Sequence, residues 1–165
     1  MEIQLIMGPN GSGKSLFAEQ QAVESGDNRI YIATMVPQNE ENHKRIEKHI
    51  NQRSGKNFLT IEVPADLDKI TVPADSVVLL EDASNLLGNE IFTKQQNCEK
   101  VLSDILSLAQ CCSKLIIVTI SGLTADGFDS ETANYINQLN RLNSQLAEKA
   151  DIVVEIIDGK PVKIK

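Results

Sequence analysis

Residues Gly8 to Ser15 read Gly-Pro-Asn-Gly-Ser-Gly-Lys-Ser and satisfy the phosphate-loop pattern G-x-x-x-x-G-K-S/T at every fixed position. That pattern serves to hold a nucleoside triphosphate. Gly8, Gly11 and Gly13 allow a tight turn and a close approach of backbone to phosphate, with Pro9, Asn10 and Ser12 between them. The loop amides converge on a helix N-terminus, where the dipole favours an anion. Lys14 is placed to reach the β- and γ-phosphates and Ser15 to ligate Mg²⁺. A second group of reactive side chains closes the apolar run Val77 to Asp82, which ends in two carboxylates, Glu81 and Asp82. An acid at the end of such a strand in a phosphate-loop protein holds the Mg²⁺ shell or positions a nucleophile. Glu81 is therefore read as catalytic, and Ser15, Glu81 and Asp82 as the candidate metal ligands.

A third group lies in the polar segment Asn39 to Arg53. Arg45, His49 and Arg53 recur every fourth residue and so share one flank of a helix. Two guanidiniums beside an imidazole bind a polyphosphate. They also disfavour the imidazolium, which keeps His49 neutral and nucleophilic. From spacing alone the same residues better describe a solvated helix face with an incidental histidine, since charged helix faces are usually just solvated. Ile46 and Ile50 are expected to anchor the adjacent flank to the core, and His43, beyond that stripe, is read as incidental.

The elements that must position these groups follow from periodicity. Ile3–Met7, Asn28–Thr34, Phe58–Val63, Val77–Asp82 and Lys114–Ile120 read as strands, and helical patterns cover Leu16–Ala22, Asn39–Arg53, Cys98–Cys112 and Glu131–Lys149. Asp66–Ile70 is a short connector or helical turn. Ile152–Ile157 and Pro161–Lys165 flank Asp158-Gly159, a hairpin signal. Gly122–Ser130 is either a mobile active-site loop or a long connection. The expected fold is α/β, phosphate-loop NTPase-like (RecA-like): a mainly parallel sheet flanked by helices, with a C-terminal antiparallel β-hairpin.

With 165 residues, one domain spanning 1–165 is the simplest expectation. A net charge of −7 argues against a nucleic-acid or anionic-membrane partner while leaving local nucleotide binding open. The chain shows no membrane-length apolar run and opens directly into a strand, so a cytoplasmic protein without leader or membrane anchor is expected. Cys98, Cys111 and Cys112 match no zinc or redox spacing and are expected to be buried thiols.

Taken together, the motifs resemble the bifunctional adenosylcobinamide kinase / adenosylcobinamide-phosphate guanylyltransferase family. The resemblance rests on the phosphate loop, on Tyr31-Ile32-Ala33-Thr34, on Arg45-Ile46-x-x-His49 and on Phe58-x-Thr60-x-Glu62. It continues in Asn143-x-x-Leu146-Ala147-x-x-Ala150-Asp151 and Gly159-x-Pro161-x-Lys163. It implies two reactions. One transfers the γ-phosphate of ATP or GTP to the aminopropanol hydroxyl of adenosylcobinamide. The other transfers GMP from GTP to the product through a guanylyl-histidine, which here falls on His49. It implies Mg²⁺ as cofactor, a corrinoid substrate, a homotrimer, and Arg45, Arg53 and Glu62 among the nucleotide-binding residues. The chain departs from the family pattern in three places. Glu81-Asp82 stands for the usual Asp-Cys, Ile120-Ser121-Gly122-Leu123 for an Asn-Glu-Val-Gly block, and Ile136-Asn137 for an Arg-Asp pair. Two other readings stay open on the residues: a monofunctional phosphate-loop kinase with an inert His49, and a nucleotide-binding regulatory protein without turnover.

Overall fold

The computed structural model describes residues 1–165. Seven strands form one sheet: β1 (Glu2–Gly8), β2 (Arg29–Ala33), β3 (Phe58–Glu62), β4 (Val77–Glu81), β5 (Lys114–Ile120), β6 (Ile152–Ile157) and β7 (Lys160–Lys163). The helices are α1 (Lys14–Ser25), α2 (Glu40–Arg53), α3 (Ala83–Lys94), α4 (Cys98–Gln110) and α5 (Ser130–Lys149), with a 3-10 turn at Leu67–Lys69. The strand order is β3-β2-β4-β5-β1-β6-β7. All neighbours are parallel except β6 and β7, which form the expected antiparallel hairpin. Asp158 and Gly159 at its turn both have positive φ, as a two-residue hairpin of matching twist requires.

The sheet separates two apolar layers of unequal size. Successive strand residues point to opposite faces, so Leu80 enters one layer and Leu79 the other. The larger layer is covered by α3, α4 and α5, which supply Leu86, Ile105, Leu139, Leu142 and Leu146 against Leu5, Ile32 and Ile117. On the other face Ala18 and Ala22 of α1 pack with Ile6, Leu79, Ile116 and Val118. Two alanines let α1 lie close over β4 and β5 as the chain crosses from β1 to β2. That crossing carries the start of α1 over β5 to the end of β4.

Two expectations need correction, one helix was unexpected, and one open alternative closes. First, α2 is not anchored by Ile46 and Ile50. No residue of α2 is buried, and Ile50 is 50 % exposed. Two isoleucines in an otherwise polar helix make too narrow a stripe to seat it on a core. Second, residues 83–94 form a helix that periodicity does not announce, because Gly88 and two asparagines interrupt its apolar residues. The signal was its cap: the Asp82 side chain accepts the Asn85 N–H at 2.7 Å. Third, Gly122–Asp129 carries no helix or strand and contributes no side chain to the main cavity, so it is a connection. Its Leu123 carbonyl is held by Asn140 Nδ2 at 3.1 Å. Fourth, Cys111 is exposed just beyond α4, while Cys98 and Cys112 are buried.

Asn143 shows how α5 is keyed to the sheet. Buried on α5, it accepts the Thr119 hydroxyl at 2.7 Å and donates to the Ile120 carbonyl at 2.8 Å. Replacing it strands two polar groups at the end of β5. Asn143→Leu is expected to lower unfolding free energy by about 1–3 kcal/mol, read from the denaturant midpoint. An unchanged midpoint would show that Asn143 is not a structural peg.

Candidate active site

The phosphate loop closes in the left-handed backbone region at Gly11 and Gly13, with φ of 72° and 89°, and Gly13 caps α1. A β-carbon at Gly8 would lie 2.8 Å from Ser12 Oγ and 3.2 Å from Ile156, so that turn needs its missing side chain. Lys14 is buried, and its ammonium donates to the Pro9 carbonyl at 3.1 Å. Burial holds its pKa below the usual lysine value, against the opposing pull of Asp82 and Glu81.

Opposite the loop, the end of β4 presents two buried carboxylates. Ser15 Oγ donates to Glu81 Oε1 at 2.5 Å, and Glu81 Oε2 is buried without a partner. Burial first, then the neighbouring Asp82 charge, pushes the Glu81 carboxyl up to about 8. Asp82 is raised by burial as well, against the bonds it accepts at the start of α3. Thr34 clamps the pair from β2's end. Its hydroxyl accepts the Asp82 N–H at 2.8 Å and points at the Glu81 and Asp82 carbonyls at 3.1 and 3.0 Å. Thr34 was visible in the sequence only as part of the Tyr-Ile-Ala-Thr block.

Ser15, Glu81 and Asp82 offer hard oxygens, one of them an orphan, which suits Mg²⁺. No group of three His, Cys, Asp or Glu side chains forms a dedicated cage. A cation held by one or two carboxylates and completed by phosphate oxygens is the form Mg²⁺ usually takes.

The far wall is α2. Arg45 Nη2 reaches Asn10 Oδ1 of the loop at 3.3 Å. Arg53 lies over the Tyr31 ring, 3.9 Å from its centroid, and its Nε donates to Thr60 Oγ1 at 3.3 Å. Between them, His49 is half-buried, with Nδ1 sealed and unpartnered. The imidazole pKa is lowered by burial and then by Arg45 and Arg53, which keeps the ring neutral below the ordinary 6.5.

The loop, the β4 carboxylates and α2 enclose one cavity of about 1130 Å³. It brings together Asn10, Gly11, Ser12, Gly13, Lys14, Ser15, Arg45, His49, Arg53, Glu62, Glu81 and Asp82. Gly8 and Pro9 stand behind the loop rather than on the cavity wall. His43, read as incidental, is exposed and lines the cavity. Sequence reasoning did not single out Tyr31, Thr60 or Asn85, which also line it.

Comparison with known proteins accounts for this arrangement. Among solved structures, the flagellar accessory protein FlaH from Methanocaldococcus jannaschii superposes with a TM-score of 0.55 at 13 % identity, covering 99 % of this chain and 78 % of that one. A DnaB-like replicative helicase gives 0.55 at 14 % identity, covering 93 % of this chain and 46 % of that one. These likenesses establish the RecA-like phosphate-loop fold. The bifunctional adenosylcobalamin biosynthesis protein CobP of Pseudomonas aeruginosa is 26 % identical over 98 % of this chain and 96 % of its own length. The family model of cobinamide kinase / cobinamide phosphate guanyltransferase matches residues 4–164. The chain belongs to the cobinamide kinase / cobinamide phosphate guanyltransferase family.

Proposed function

We propose that the protein phosphorylates the aminopropanol hydroxyl of adenosylcobinamide and then transfers GMP from GTP to the product through guanylyl-His49, in cobalamin biosynthesis. The observation that carries this reading is His49: a neutral imidazole between two guanidiniums, facing the phosphate loop across one cavity. His49 makes no side-chain hydrogen bond and its Nδ1 is sealed, so Nε2 is the nitrogen open to attack.

In the kinase half, the loop amides and Lys14 hold the triphosphate. The substrate oxygen bonds to the γ-phosphorus as the bond to the β-bridging oxygen breaks. The hydroxyl proton leaves to water or to the Glu81/Asp82 pair, and the nucleoside diphosphate departs. Ser15, Glu81 and Asp82 would hold Mg²⁺, which supplies charge neutralisation on the phosphates. In the guanylyl half, His49 Nε2 bonds to the α-phosphorus of GTP and the α–β phosphoanhydride breaks, releasing pyrophosphate. Arg45 and Arg53 neutralise charge on the transferring group. A phosphate oxygen of the phosphorylated corrinoid then displaces His49, which regains its free imidazole. Glu62, exposed on the cavity wall, would contact the nucleotide.

Incubation with GTP and Mg²⁺ should add the mass of one GMP to the protein, in an acid-labile, base-stable phosphoramidate. His49→Ala should abolish the adduct and His43→Ala should keep it, while γ-phosphoryl transfer survives both. A protein that phosphorylates adenosylcobinamide but gains no mass would disprove the guanylyl half. The rate of adduct formation against pH should keep its plateau below 6.5 on the acid side, because the neutral imidazole persists there. A limb above 6.5 would mean that His49 is not so depressed.

Lys14→Ala should cost on the order of 10²–10³ in phosphoryl transfer while the denaturant midpoint is retained. Glu81→Gln should lower kcat more than it weakens nucleotide binding. If Asp82→Asn is crippling and Glu81→Gln harmless, Asp82 is the working acid.

A further inference from the structure

Glu19 sits on α1, one turn beyond Ser15, and is 0 % exposed. A carboxylate this deep must be fully partnered or give up its charge. Both of its oxygens are taken by the α2 end of the chain. Oε1 accepts Gln52 Nε2 at 2.8 Å, and Oε2 pairs with Lys56 Nζ at 2.7 Å. Gln52 belongs to the last turn of α2, three residues after His49 and so beside it on the helix surface.

The rest of the helix has little else to fix it. It buries no side chain, so apolar packing does not set where it lies. Its other polar ties to the body are Asn42 Nδ2 to the Val36 carbonyl, Arg45 to Asn10 and Arg53 Nε to Thr60, all at 3.3 Å, with the Arg53 guanidinium also 3.9 Å over the Tyr31 ring. Arg45 and Arg53 are also the groups expected to turn to a bound nucleotide. The Glu19 pair is shorter, its carboxylate is buried, and neither Glu19 nor Lys56 lines the cavity. Lys56 adds a second strap, its carbonyl accepting Arg29 Nη1 at 2.7 Å.

We propose that Glu19 is a positioning residue that tethers the C-terminal end of α2 to α1, holding His49 toward the phosphate loop. The role rests on the guanylyl-His49 reading. Glu19 is buried away from the cavity wall, so it acts through Gln52 and Lys56. The groups assigned to γ-phosphoryl transfer, Lys14, Ser15, Glu81 and Asp82, sit on the loop, the start of α1 and the end of β4, so that step does not rely on the tether.

The test compares wild-type protein, Glu19→Gln, the exchanged pair Glu19→Gln/Gln52→Glu, and Lys56→Met. The last alters a side chain 28 % exposed and leaves the α1 core intact, should Glu19→Gln fold poorly. GTP–Mg²⁺ is the probe. Glu19→Gln and Lys56→Met should slow His49 adduct formation on the order of 10–100-fold, as a misplaced nucleophile does. Their γ-phosphoryl transfer to adenosylcobinamide should stay at the wild-type rate. The exchanged pair should recover adduct formation, because it restores an amide–carboxylate contact beside Lys56. Wild-type adduct rates in both single variants, or parallel loss of both activities, would overturn the proposal. Amide hydrogen exchange separates this failure from failure of the guanylyl reading. Residues 49–56 should exchange faster in Glu19→Gln than in wild type. Unchanged exchange overturns the tether whatever the chemistry, and wild-type protein without any adduct overturns the guanylyl reading.

Discussion

Two adjacent carboxylates buried at the end of β4 are the constraint around which the rest of the site is arranged. Glu81 and Asp82 repel one another and are cut off from water, and each is pushed toward its neutral form. Such a pair persists only if its surroundings supply donors and opposite charge. Donors to the carboxylates come from Ser15 in the first turn of α1 and the Asn85 amide in the first turn of α3, while Thr34 at the end of β2 fixes the backbone that joins them. Lys14 supplies the positive charge. These groups come from three elements that meet at one place because β1, β2 and β4 are parallel and end on the same edge of the sheet. The crossing of α1 over β5 completes the set. A cation and a triphosphate would relieve the same repulsion, which is why the pair suits nucleotide chemistry.

The molecule divides into a packed part and a tethered part. The sheet, α1 and the three helices on the opposite face bury their apolar residues and fix the loop and the carboxylates. The helix that carries His49 buries none and is held by polar contacts. Packing resists displacement because any shift leaves voids, whereas a polar tether can exchange partners at modest cost. A helix so held can follow a nucleotide as phosphates take over Arg45 and Arg53. This would suit the proposed pair of reactions, in which the loop stays in place while His49 adjusts.

The parts legible in the sequence are those governed by local rules. The glycine and lysine spacing of Gly8–Ser15 and the apolar runs of the parallel strands each carry their own signal, as does the Asp-Gly turn. Arg45, His49 and Arg53 were legible as one flank because helical periodicity is fixed. What lay hidden was non-local. α3 escaped because its helical character rests on burial of Leu86 and Leu87 against distant strands and on a cap by Asp82, which reads first as a ligand. The stance of α2 escaped because two isoleucines resemble an anchor until the partner surface is known. Thr34, Tyr31 and Glu19 are ordinary strand or helix residues whose roles appear only when β2, β4 and the end of α2 are brought together.

The central claim is that the phosphate loop and His49 act on one triphosphate in one cavity. The direct measurement is His49 guanylylation by GTP in the presence of a rising concentration of a non-hydrolysable ATP analogue. Adduct formation is predicted to fall as the analogue fills the loop, with the same midpoint as its binding isotherm. Undiminished guanylylation with the loop saturated would contradict the shared cavity and place the guanylyl chemistry elsewhere.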